Sequence, residues 1–324
     1  MAQRKPGTGG ARKTVLVTGA GGSLAQRVIA RLHPHHNVVA ADFRRRVETD
    51  ADIPSYLVQL YKRTFEDVFA AHKIDAVIHI GRMFPHERNR AQRYNANVMG
   101  TRRLFDLCRK YQVGQVIVHS TYFVYGATAW NPALIDEDAP LKASEVTQDL
   151  VDSVELESLA NIQLWRHPEL HVTVLRPCNV LGPDVRNSLS ILLSNRFAPV
   201  LLGFAPLMQF VHVDDMAEAI VLAFEKNHPG IYNVAPADYI PYPDAVRECG
   251  CHRVPVLSVP PLLPRAISRV LNSNVFFPPY LINYFKYPVI LDGRLFGKTF
   301  GWKPRHTLND IFASYRRQKQ RAAG

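Results

Sequence analysis

Apolar residues along this chain fall into short runs separated by stretches of helical spacing. Thr14–Thr18 (TVLVT) is a β-branched run that ends at a glycine, and Ser23–Leu32 then carries Leu24, Val28, Ile29 and Leu32 on one helical face. Strand, tight turn and helix follow one another there. Asn37–Ala41 reads as a second buried strand closing at Asp42. Ala76–Ile80 and Gln115–His119 read as two more, with helical patterns over Thr64–His72 and Ala91–Tyr111 between them. His171–Leu175 and Gln209–Val213 are again strand-like. Buried strands alternating with helices need crossover connections, which predicts an α/β fold: a doubly wound parallel sheet covered on both faces.

From Gly182 the pattern changes, with shorter apolar pieces and prolines crowding the stretch from Pro241 to Pro288. Residues 14–181 read as the sheet domain, with 209–235 returning to it, and 182–208 with 236–315 as a smaller substrate lobe. Residues 1–13, holding glycines, a proline and cations without apolar periodicity, read as a flexible basic tail, and 316–324 as a second basic tail. The lobe segment Val254–Leu291 is rich in Leu, Phe and Tyr and suits a pocket for an apolar ligand, a partner's surface or an ordinary core.

One helical stretch is unusual. KASEVTQDLVDSVELESLANIQLW, residues 142–165, carries acids at Glu145, Asp149, Asp152, Glu155 and Glu157, and no lysine or tyrosine occurs from Ala143 to His171. Val151, Val154, Ile162 and Trp165, with Ser158 in line, form the stripe expected to pack inward.

Composition excludes more than it selects. At 324 residues with 47% hydrophobic and 21% charged residues, the chain can bury a full core and is not disordered as a whole. The formal charge of +11 is spread over the two tails, Arg44–Arg46 and Arg102–Arg103 rather than one aromatic-laced patch. No nucleic-acid partner is therefore expected, and nucleic-acid binding stays the remotest reading. No apolar run approaches the roughly 18 residues of a spanning helix, and no leader is recognisable, so a cytoplasmic location is expected. Cys108, Cys178, Cys249 and Cys251 offer no CxxC pair and read as buried thiols, and no metal site is predicted.

Chemistry first shows in VTGAGGSLA. Gly19 permits the tight turn after the strand, Gly22 lets backbone approach a pyrophosphate at the helix N-terminus, and the small Ala25 lets helix pack on strand. Asp42, about 20 residues on at the end of the second strand, suits the adenosine ribose hydroxyls and disfavours a 2′-phosphate. NAD is thus the expected cofactor, while Arg44–Arg46 keep NADP open, since a guanidinium can hold that phosphate.

Further pieces recur in order: DAVIHIG at 75–81, NVMGT at 97–101, VIVHSTYFVYG at 116–126, LRPCNVLGP at 175–183, FVHVDDMAEAI at 210–220, GIYNVAP at 230–236 and FGWKP at 300–304. With the glycine turn, they make the chain resemble the extended short-chain dehydrogenase/reductases, in particular the NAD-dependent epimerase/dehydratase family. The resemblance implies a Rossmann fold and places cofactor contacts at Gly19, Gly22, Ser23, Leu24, Asp42, Phe43, Arg44, Gln59, Gly81, Asn97 and Pro177. Substrate contacts fall on Tyr122, Asn179 and Met208. It also implies a homodimer paired through a four-helix interface that includes the 142–165 helix.

Relatives of this kind use a Ser/Thr, a Tyr and a Lys, because a phenol of pKa about 10 serves as a base only beside a cation. Thr121 matches the hydroxyl. Counted back from Arg176 and Pro177, the tyrosine position falls on Asp149 and the lysine position on Ser153. Two further departures argue against a nucleotide-sugar substrate or touch the cofactor site. Met208 and Gln209 stand where an arginine grips the substrate diphosphate, and Gln59 stands where an acid contacts adenine. The first expectation is therefore an NAD(P)-binding protein with a degenerate or altered catalytic site, acting on or sensing a hydrophobic small molecule. The second is an oxidoreductase or epimerase that uses Asp149 as an unusual base with Thr121. A carboxyl with an ordinary pKa near 4 would have to be raised by several units for that task.

Overall fold

The computed structural model describes residues 12–44, 46–47, 50, 52–83, 89–257 and 279–323. The tail at 1–11 and most of the apolar lobe segment, 258–278, lie outside the described residues.

The strands are β1 Thr14–Thr18, β2 Asn37–Asp42, β3 Ser55–Leu57, β4 Ala76–His79, β5 Gln115–His119, β6 His171–Pro177, β7 Asn179–Leu181, β8 Phe197–Leu201, β9 Leu207–Met208, β10 Phe210–His212, β11 Gly230–Val234, β12 Ile240–Pro241 and β13 His252–Val256. The helices are α1 Ser23–Leu32, α2 Glu66–Ala71, α3 Arg90–Tyr94, α4 Gly100–Lys110, α5 Ala143–Val146, α6 Val151–Arg166, α7 Ser188–Ser194, α8 Val213–Lys226, α9 Tyr242–Glu248, α10 Arg294–Phe300 and α11 Leu308–Ala323.

Seven strands form one parallel sheet in the order β11-β6-β5-β4-β1-β2-β3. The chain moves outward in one direction from β1 through β2 to β3 and in the other from β4, so the strand order reverses between β1 and β4. In such sheets a ligand crevice opens at that reversal, beyond the carboxyl ends of the strands. Two apolar cores form: one joins α1, α8 and the lobe, and the other joins α2, α4 and α6. The strands are near-continuous apolar runs because both faces are covered.

Two boundaries differ from expectation. β10 pairs with β7 in a separate two-stranded ladder, and only β11 rejoins the large sheet, because the chain leaves it after Pro177. Residues 316–323 are not a loose tail but the end of α11. Arg316 donates to Glu248 O, and Lys319 donates to Leu193 O at 2.6 Å and Cys249 O at 2.7 Å, so these cations cap two helix ends.

Helix α6 also turns its other side inward. Asp152, Ser153, Leu156, Glu157 and Ala160 are buried, whereas Ile162 and Trp165 of the expected stripe are 50% and 80% exposed. Polar residues can face inward here because each charge meets a partner, as described below. All four cysteines are buried free thiols, and no described helix is long and apolar enough to cross a membrane.

Candidate functional site

Gly19 leaves β1 with φ +70°, and a Cβ there would stand 2.3 Å from Gly81 Cα, so only glycines let the loops after β1 and β4 touch. Gly22 caps α1 without a side chain, and the first turn of that helix holds no acid. The leading amides of α1, from Ser23 and Leu24 on, therefore face the crevice with a positive dipole end and suit an anion.

Asp42 is set beside them. Its Oδ2 accepts from Gly21 N at 2.9 Å and its Oδ1 from Arg44 N at 2.8 Å, so the carboxylate braces the glycine turn while standing at the crevice. The Arg44 guanidinium lies over the Phe43 ring at 5.1 Å. Gly19, Asp42, Phe43, Gln59, Gly81 and Asn97 line one cleft together with Tyr61, Arg82 and Met83. Gln59 accepts from the Tyr61 hydroxyl at 2.7 Å. Asn97 occupies the wide turn Asn95–Met99 that joins α3 to α4. Its amide is spent on protein: it clasps Met83 N and O at 2.8 and 2.9 Å and donates to Asp152 Oδ2 at 2.5 Å.

Farther along the strand ends, Thr121 follows β5 and accepts from Phe123 N, while Pro177 closes β6. Tyr122 donates to Asn179 Oδ1 at 2.8 Å, and Asn179 donates to Gln209 O at 3.0 Å. Gln209 in turn bonds Pro236 O, Leu291 O and Leu291 N, and Met208 is buried, so this row serves the core as well as the crevice wall.

Asp149 sits in a 3-10 turn ahead of α6, where its Oδ1 pairs with Arg90 at 2.9 Å. Ser153 is buried in the first turn of α6. Between them Asp152 lies 3.3 Å from the buried Arg93 and bonds Asn97. Sequence reasoning missed Arg90, Arg93 and Asp152 as a group. The signal was a matched spacing, two arginines three apart and two aspartates three apart, which becomes legible only once α3 is known to lie against α6.

Beneath this mouth runs a buried polar chain. Ser120 Oγ donates to Glu157, Arg176 Nε donates to Glu157 at 2.7 Å, and Arg176 Nη1 donates to the Tyr125 hydroxyl at 2.7 Å. Tyr125 donates on to Asn233. Burial pushes the Tyr125 phenol up to about 12, which makes it a structural hydroxyl rather than a proton carrier at neutral pH. One metal-like grouping exists among the described residues: His212, Asp214 and His306 bring ligand atoms within 4.8 Å. The two imidazoles stack at 3.8 Å and Asp214 pairs with Arg27 at 3.0 Å, which suits an ion-pair cluster better than converging metal donors.

The sequence of residues 15–235 matches the model of the NAD dependent epimerase/dehydratase family. This chain belongs to that family. An uncharacterized protein of Mycobacterium tuberculosis is 27% identical over 94% of this chain and 83% of its own length. The human dTDP-D-glucose 4,6-dehydratase is 25% identical over 70% of each chain. Among solved structures, MoeE5 in complex with UDP-glucose and NAD superposes with a TM-score of 0.75 at 21% identity, covering 96% of this chain and 100% of that one. As an epimerase/dehydratase-family protein, the chain keeps the family's sheet and glycine turn while its sequence holds neither tyrosine nor lysine from 143 to 171.

Proposed function

We propose that this chain binds NAD along the carboxyl edge of β1, β2 and β4 and lacks the tyrosine–lysine proton relay. The observation that carries the reading is the side-chain-free N-terminus of α1 with the Asp42 carboxylate fixed beside it. In this reading Gly22 admits the diphosphate, the amides of Ser23 and Leu24 hold it, and Asp42 accepts from the adenosine ribose. Phe43 and Gln59 flank adenine, and Thr121 and Pro177 meet the nicotinamide end. NAD would supply a hydride acceptor. A hydride leaving an alcohol also needs a base for the hydroxyl proton, and Asp149 is engaged by Arg90 while Ser153 is no base.

The ligand beside the cofactor is proposed to be a small molecule other than a nucleotide sugar, because Met208 is buried and the Gln209 side chain is bonded to the backbone of Pro236 and Leu291. The chain is further proposed to be a cytoplasmic homodimer with no nucleic-acid partner. Tyr94, Met99, Ile162 and Trp165, from α3 to α4 and from α6, are exposed apolar residues that a second copy would cover.

Calorimetric titration with NAD, NADH, NADP and NADPH tests the cofactor reading. NAD and NADH are expected to bind and the phosphorylated pair to bind more weakly. No heat from any of the four at millimolar concentration would overturn it. Turnover of alcohols or carbonyls that is lost in Asp149→Asn would overturn the claim of an altered, inactive relay and favour an Asp149-based enzyme.

A further inference from the structure

The geometry points to Arg82 as the cation that holds the dinucleotide diphosphate, an inference that rests on the NAD-binding reading above. Arg82 follows Gly81, whose own Cβ would stand 2.7 Å from Gly19 Cα. Its backbone is therefore one residue from the phosphate turn, opposite the leading amides of α1. Its side chain lines the same cleft as Gly19, Asp42 and Asn97. From there Nη2 donates to Ser120 O at 3.4 Å, immediately before Thr121. The guanidinium thus spans the ends of β4 and β5, between the place proposed for adenosine and the place proposed for nicotinamide.

Among the described residues, the surroundings leave this task to Arg82. Position 153 on α6 is a serine and brings no charge to the mouth. Arg27, on α1, is bonded to Asp214, and Arg44 stacks on Phe43 at the adenosine end. His79, at the end of β4, is neutral at pH 7, since burial and then the Arg82 charge push its imidazole down to about 4. A guanidinium fork matches two phosphate oxygens at once, which a point charge does not. The class of ligand served is any molecule carrying a nucleoside diphosphate moiety, NAD and ADP among them.

Calorimetry on the full chain with NAD, ADP and adenosine, comparing wild type with Arg82→Met, Arg82→Gln and Arg82→Lys, tests the assignment. Both neutral variants should lose NAD and ADP affinity by about tenfold or more, the value expected for a charge-assisted pair, with adenosine unchanged and Lys intermediate. Equal or tighter NAD and ADP binding by the neutral variants would overturn it. So would a loss confined to NAD, which would put Arg82 at the nicotinamide end. A wild type that binds neither NAD nor ADP removes the cofactor reading and this inference together, whereas binding that survives in both neutral variants removes this inference alone.

Discussion

His79 makes the fold sensitive to acid in a way that can be worked from its contacts. It is 2% exposed, with Nδ1 2.7 Å from Thr18 Oγ1 and Nε2 3.0 Å from Thr101 Oγ1. Thr101 donates its own proton to Asn97 O at 2.6 Å, so its oxygen accepts from His79 Nε2–H, and Nδ1 is left as the acceptor for Thr18. The neutral ring is fully bonded, and a second proton at Nδ1 would displace the Thr18 donor. Burial accordingly pushes the folded pKa down to about 4. An unfolded histidine titrates near 6.5. Between those values the unfolded chain binds a proton that the folded chain refuses, so stability is fully present above about pH 6.5 and falls as pH drops toward 4. The slope is about 1.4 kcal/mol per pH unit and the total about 3 kcal/mol. Urea unfolding of wild type and His79→Gln at pH 7.5, 6 and 5 isolates this contribution, because the other titrating groups are common to both. The wild-type line should be steeper by that slope below pH 6. Parallel lines would refute the reasoning.

Three other perturbations have definite expectations. Glu157→Gln leaves the buried Arg176 without its anion and should cost about 3–5 kcal/mol in urea unfolding; a loss below about 1 kcal/mol would contradict the buried pair. Gly19→Ala places a methyl 2.3 Å from Gly81 Cα at φ +70°, and should lower the melting temperature and abolish NAD binding in calorimetry. Trp165→Glu should convert a dimer to a monomer in light scattering, and a wild type that is already monomeric would refute the proposed interface.

The sheet was legible in the sequence because its central strands, such as Val15–Val17 and Val116–Val118, are buried on both faces and so are apolar without interruption. The places of Gly19 in the turn, Gly22 at the helix start and Asp42 at the strand end were legible because they depend on local backbone geometry and a short spacing. The orientation of α6 was not. Periodicity ranks Ile162 and Trp165 above Glu157 for burial, and Arg176 and Ser120, both outside the helix, make the opposite choice stable. The same limit applies to Asn97, which lines the cleft and also clasps Met83 through a contact no local pattern announces. The ladder of β8 with β13 joins residues some 55 apart, Phe197 with His252, which no local pattern announces.

The chain of bonds from Ser120 through Glu157, Arg176 and Tyr125 to Asn233 fastens α6 to β5, β6 and β11 from below. Positions 149 and 153, where the helix meets the crevice, are not links in that chain. The helix is thus moored from below by bonds that do not pass through positions 149 and 153, and its crevice end can be edited without casting those off. Substitutions at 149 and 153 are therefore local revisions at the crevice, with the hull of the molecule left as it was.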